Sequence, residues 1–127
     1  MTDDMLVVDA ANVIGSRPDG WWRDRAGAAR RLLARLSALG DELPRLVVVL
    51  EGAAKSAATE ADPRIEVVAA EGSGDDAIVA VVDSALRAGT RSVTVVTADR
   101  GLRERVEALG ATTVGPRHLL DRLESPR

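Results

Sequence analysis

The feature that most constrains this chain is the alternation of two apolar patterns along its 127 residues. Runs rich in β-branched residues, MLVVD (5–9), LVVVL (46–50), IEVVA (65–69), VTVVT (93–97) and the weaker ATTVG (111–115), read as strands. Most are continuously apolar, as expected when both faces of a sheet are covered. Between them the spacing turns helical. Ala29, Leu32, Leu33, Leu36 and Leu39 form one stripe, Ile78, Val81, Val82, Ala85 and Leu86 a second, and Leu102, Val106 and Leu109 a third. Gly40, Gly89 and Gly110 stand just past these stripes, where a left-handed residue is favoured. The expected fold is α/β, a three-layer α/β/α sandwich around a mostly parallel sheet of about five strands. No repeat or linker divides the chain, so one domain is expected over 1–127.

Composition narrows the chemistry. The core must be aliphatic, built from 21 Ala, 16 Val and 14 Leu, since Trp21 and Trp22 are the only aromatic residues. The aromatic platforms used by single-strand binders are nearly absent. The lack of cysteine excludes a disulfide framework, thiolate zinc sites and cysteine nucleophiles. Sixteen of the 17 bases are Arg, and Lys55 alone offers no Walker-type phosphate loop. AANVIGS after the first strand likewise lacks the G-x-G-x-x-G of a dinucleotide site. The opening MTDDMLVVDAAN carries acids where a signal peptide needs positive charge, and no apolar run nears the ~20 residues of a spanning helix. A cytoplasmic protein without a membrane segment is expected.

A parallel sheet places all strand exits along one edge, where function in such folds resides. Asp9 ends the first strand, Glu51 follows the second, Asp75 and Asp76 follow the third, and Asp99 follows the fourth. If Asp9, Asp75, Asp76 and Asp99 converge, their repulsion costs on the order of several kcal/mol unless a cation offsets it. Hard oxygen donors point to magnesium or manganese. Such an ion activates water against a phosphodiester without a protein nucleophile.

Each acid also has a purely structural use. Ser73 and Asp76 have capping-box-like spacing, acids in a first helical turn suit the dipole, and Asp99 can cap the helix after it. Asn12 can stabilise the turn after Asp9, and Glu51 can be an ordinary loop acid. Asp9 is the exception, because an ionisable group closing an apolar central strand is costly without a partner.

Three strings carry a family resemblance: D-x-x-N in VVDAANVIG, D-D in GSGDDAIV and T-A-D-R in VVTADRGLRERV. In this order and separation they resemble NYN-domain nucleases of the PIN-like superfamily, over residues 5 to about 120, and GATTVGPRHLL resembles that family's last strand and helix. The resemblance implies a PIN-like, Rossmannoid α/β/α domain and metal-dependent cleavage of RNA, with an endoribonuclease expected ahead of an exonuclease. It further implies Asp9 as first metal ligand, Asn12 as its polar companion, Asp75 or Asp76 as the acid on the helix after strand three, and Asp99 as the third acid. The ligand set carried forward is Asp9, Asp76 and Asp99. One position departs: many of these enzymes carry a further acid one turn beyond Asp99, where this chain has Arg103, with Glu104 beside it. That departure points to one strongly bound ion, or to weak activity.

Substrate capture is read from local charge. Residues 17–35 hold six Arg against two Asp, and residues 91–105 hold four Arg against Asp99 and Glu104. Arg17, Arg23, Arg25, Arg100 and Arg103 are candidate phosphate contacts on a single-stranded RNA, since guanidinium pairs bidentately with phosphate. Arg30, Arg31 and Arg35 read instead as the solvated back of a helix. Of the two Trp, one packs or staples the helix entrance, and Trp22 is the candidate base-stacking residue. His118 lacks a Gly-x-Ser-x-Gly turn for Ser-His chemistry. GAAKSAATEAD (52–62) reads as a crossover helix or a mobile flap. Rival functions are a silent module binding RNA or a protein, the toxin of a toxin-antitoxin pair held by an antitoxin-like partner, and a haloacid-dehalogenase-like phosphatase using Asp9, though that family wants an Asp where position 11 is Ala. A homodimer is also compatible. Without the four candidate acids, the formal charge of −3 becomes +1.

Overall fold

The computed structural model describes residues 4–17, 20–60 and 62–124, and the ends of the expected domain at 1–3 and 125–127 lie outside the described residues. Five strands form one all-parallel sheet: β1 (Asp4–Asp9), β2 (Arg45–Leu50), β3 (Ile65–Ala69), β4 (Ser92–Val96) and β5 (Thr112–Val114), in the order β3-β2-β1-β4-β5. Helices α1 (Ala10–Gly15), α2 (Arg25–Leu39), α3 (Gly74–Arg87), α4 (Arg100–Leu109) and α5 (Pro116–Glu124) cover both faces, completing a three-layer α/β/α, Rossmann-like sandwich.

The valine runs explain the layers. Val7 lies between Val47 and Val95 in register, and these three pack under Ile78 and Val82 of α3 and Leu102 and Val106 of α4. One residue along, Val8, Val48 and Val96 face the opposite way, onto Val13 of α1, Leu32 and Leu36 of α2 and Leu119 of α5. Because both faces are buried, the strands are apolar throughout rather than alternating. Each such valine contributes about 1.5–3 kcal/mol on burial. Gly110 ends α4 in the left-handed conformation (φ 109°), as its place after the stripe predicts.

Three details go beyond the sequence pattern. First, α1 starts directly after β1, a six-residue helix too short to show a stripe. Second, Gly52–Glu60 is a run of 3-10 turns packed on α2 with Ala57 fully buried, so it is a crossover of another kind than an α-helix, and it is anchored rather than a flap. Residue 61 of that stretch lies outside the described residues. Third, α2 begins at Arg25 because Asp24 caps it, accepting from the Gly27 N–H at 2.9 Å. Among the described residues, no helix is long and apolar enough to cross a membrane.

The chain steps outward from β1 through β2 to β3, then returns to the other side of β1 for β4 and β5. The reversal point therefore lies between the carboxyl ends of β1 and β4, where this class of sheet opens a crevice.

Candidate active site

Asp9 closes β1 at that reversal point and is 6% exposed. Its carboxylate caps α1, accepting from the Asn12 N–H at 3.3 Å through Oδ1, while Oδ2 accepts from the Thr97 hydroxyl at 2.9 Å. Thr97 is fully buried just past β4, with its N–H donated to the Val114 carbonyl. Its Oγ1 accepts from the Asp99 N–H at 3.1 Å, and the Ala98 N–H donates to Asn12 Oδ1 at 2.8 Å. The exits of β1 and β4 are thus laced together by side-chain bonds, which fix the Asp9 carboxylate from two directions.

Glu51 reaches from the end of β2 to the start of α3, where Oε2 accepts from the Gly74 N–H at 2.9 Å. A Cβ at position 74 would come within 2.9 Å of the Glu51 carboxyl carbon, so glycine permits this approach. Ser73 caps α3 through the Asp76 N–H, and Asp99 caps α4 by accepting from the Leu102 N–H at 2.9 Å. The structural uses foreseen for Ser73 and Asp99 are therefore present, and they fix the starts of α3 and α4 at this edge of the sheet.

Burial pushes the Asp9 carboxyl above its ordinary pKa, the bonds from Thr97 and Asn12 oppose this, and the charges of Asp75 and Glu51 add to the rise. Asp75 is also raised, first by burial and then by Asp99 and Glu51, with Arg105 opposing. Asp9, Glu51, Asp75 and Asp99 therefore share one negative field. Asp76 is turned outward: its side chain is 72% exposed and pairs with Arg105 on α4 at 3.0 Å. Helical geometry is the reason, since adjacent residues on a helix point about 100° apart and only one can face Asp9.

Among the described residues, no three Asp, Glu or His side chains stand close enough to enclose a metal ion. The trio Asp9, Asp76 and Asp99 is thus not drawn into a cage, because Asp76 faces Arg105 and Asp99 is turned to its own helix. Magnesium needs no such cage, as it is usually held by one or two carboxylates, several waters and substrate phosphates. The donor set around Asp9 and Asp75 fits that chemistry: hard oxygens, one of them buried and rigidly held, with their mutual repulsion not offset by a nearby base on Asp9.

The cations lie around this edge in different settings. Arg103, in the position of the further acid, donates from Nε to the Thr97 carbonyl at 3.0 Å and so braces the loop that holds Asp9. Arg100 is exposed at the first turn of α4. Arg17 pairs with Glu124 of α5 at 2.7 Å. Arg23 and Arg25 lie over the rings of Trp22 and Trp21, at 5.9 and 5.3 Å, and the two indoles meet edge to face. Trp22 is 53% exposed. Neither Trp makes a hydrophobic staple, because capping by Asp24 puts Arg23 in the preceding position where the staple residue would stand. His118 borders a cleft with Asp4 and Met5 at the opposite, amino end of the sheet. Thr97 is the first residue of the T-A-D-R string, which by itself assigns it no role; a hydroxyl ending an apolar strand two places before an acid was its available signal.

No family model and no curated protein matches the chain. Among solved structures, the crystal structure of Rae1 (YacP) from Bacillus subtilis is similar over 95% of this chain and 75% of that one, with a TM-score of 0.78 and 22% identity. That likeness establishes a shared fold.

Proposed function

We propose that the chain is a metal-dependent ribonuclease of the PIN-like kind, hydrolysing RNA phosphodiesters at the carboxyl edge of its sheet. The observation that carries this reading is Asp9: a carboxylate buried at the reversal point, fixed by Thr97 and Asn12, and surrounded by further acids instead of a base. A buried charge so arranged is costly unless function requires it.

Asp9 and Asp75 would hold a magnesium or manganese ion, with Asp99 and Glu51 close enough in the field to strengthen its attraction. Bound there, the ion supplies an activated water and offsets charge on the phosphate. The chain's own groups do the rest. Thr97 favours the ionised form of Asp9, against the effect of burial, and orients it by donating to Oδ2. Because Asn12 Oδ1 accepts from Ala98, its NH2 group remains as a donor toward a phosphate oxygen or bound water. Arg100, exposed and one residue from Asp99, would meet the scissile strand's backbone.

The test compares the protein with Asp9→Asn on a labelled single-stranded RNA in manganese, magnesium and EDTA. Metal-dependent cleavage lost in the variant is expected. Equal cleavage by both proteins, or cleavage that survives EDTA, overturns the mechanism. Salt-sensitive RNA binding without cleavage would make this a silent module, and Asp9-dependent phosphate release from a small phosphomonoester would make it a phosphatase.

A further inference from the structure

We infer that RNA leaves the acidic edge along a basic track that crosses Arg17 and Arg117 and continues over Arg31 and Arg35 of α2, an inference that rests on the ribonuclease reading of that edge. The track begins in a cleft of about 420 Å³ bordered by Ser16, Arg17, Ala98 and Arg117, a size ordinary for ligand clefts. Ala98 is bonded to Asn12 and adjoins Asp99, so the cleft opens at the proposed reaction site. Arg17 and Leu120 also border a second groove, which runs between α1, α2 and α5. Its floor is apolar, with Val13, Ile14 and Leu32, and Arg31 and Arg35 line it from α2.

Apart from Arg17, which pairs with Glu124, the charges on this track lack acidic partners among the described residues. Among the described residues, no acid pairs with Arg31, Arg35 or Arg117. Arg31 and Arg35 are four residues apart, a spacing at which like charges destabilise a helix, and a phosphodiester laid across them removes that cost. The groove itself is only about 60 Å³, too narrow to take a base, so the guanidinium groups engage the backbone along its rim. An acidic protein segment would find similar charge, but continuity with Ala98 and the acidic edge favours the nucleic acid. On the alternative path, Arg23 and Arg25 are already engaged with the two indoles. Among the described residues, Glu124 is the one acid bordering the cleft, and its pairing with Arg17 must give way when a phosphate arrives.

The experiment measures binding of a fluorescent 12-nucleotide RNA by Asp9→Asn protein in EDTA over a salt series, so that cleavage does not intrude. Arg31→Ala/Arg35→Ala in that background should weaken binding at least tenfold at low salt and lower the slope of log K against log salt by about 1.4, at ~0.7 per lost phosphate contact on a single strand. Glu124→Gln should tighten binding by freeing Arg17, a gain that misfolding cannot mimic. If the double variant binds like its parent and Glu124→Gln changes nothing, the track is overturned while cleavage by the native chain still supports the ribonuclease reading; the groove then belongs to a protein partner. If the native chain neither binds nor cleaves RNA, both fall together.

Discussion

Asp9 and Asp62 sit at opposite ends of the sheet and have been treated in opposite ways. Asp62, just before β3, accepts from the Arg64 N–H and guanidinium, both at 2.8 Å, and from the Ser37 hydroxyl. Arg64 also donates to the Ser37 carbonyl, so the carboxylate ties the loop before β3 to the end of α2. These bonds hold the Asp62 carboxyl well below the usual carboxylate range. Asp9 also has a hydroxyl and a backbone N–H, but its charged neighbours are acids, and its carboxyl is pushed up. The difference separates a carboxylate that cross-links the fold from one whose partner cation must come from outside.

Substitution at each aspartate should divide activity from stability. Asp9→Asn is expected to reduce RNA cleavage by more than about 100-fold, above the 10–100-fold typical of residues that only support a metal site. The same variant should melt no lower than the parent, because a buried charge is removed. Asp62→Asn should do the reverse, lowering the melting temperature with cleavage unchanged. Equal loss of activity in both variants would erase the distinction. Thr97→Val comes next, with cleavage down about 10–100-fold and about 1–3 kcal/mol of stability lost because Asp9 Oδ2 is left without its donor.

A smaller effect should appear in the pH dependence of stability measured in EDTA. Asp62 binds its proton less readily folded than unfolded, so its contribution is present above the ordinary value of 3.8 and is lost as pH falls below it. Asp9 and Asp75 bind theirs more readily when folded, so stability declines as pH rises from 3.8 through their raised values. Urea unfolding across this range should therefore rise and then fall. Asp9→Asn should flatten the falling limb and Asp62→Asn the rising one. A falling limb that survives Asp9→Asn unchanged would show that Asp9 is not the strained group.

The two ends also differ in how legible they are in the sequence. The strands and the three long helices follow from valine runs and leucine stripes, because burial on one or two faces is written into periodicity. Asp9 stands out on the same ground, as an acid ending an apolar strand. Thr97 and the Glu51 bond to Gly74 depend on which strands become neighbours, and β1 and β4 are more than 80 residues apart along the chain. Ser37, Asp62 and Arg64 show no pattern for the same reason: their meeting depends on how α2 ends against the loop before β3.

The smallest expected effect gives the sharpest test of which acid faces Asp9. Asp75 and Asp76 are indistinguishable by sequence, yet Asp76 points to Arg105 in solvent while Asp75 shares the field of Asp99 and Glu51. An exposed pair of this kind contributes about 0–1 kcal/mol. Asp76→Asn should accordingly change stability by less than about 1 kcal/mol and leave the metal concentration for half-maximal cleavage nearly unchanged, whereas Asp75→Asn should raise it. Both variants keep the size of the side chain, so packing of α3 does not confuse the comparison. If Asp76→Asn raises the metal requirement and Asp75→Asn does not, the helix presents its other acid to the reaction, and the partner of Asp9 must be reassigned.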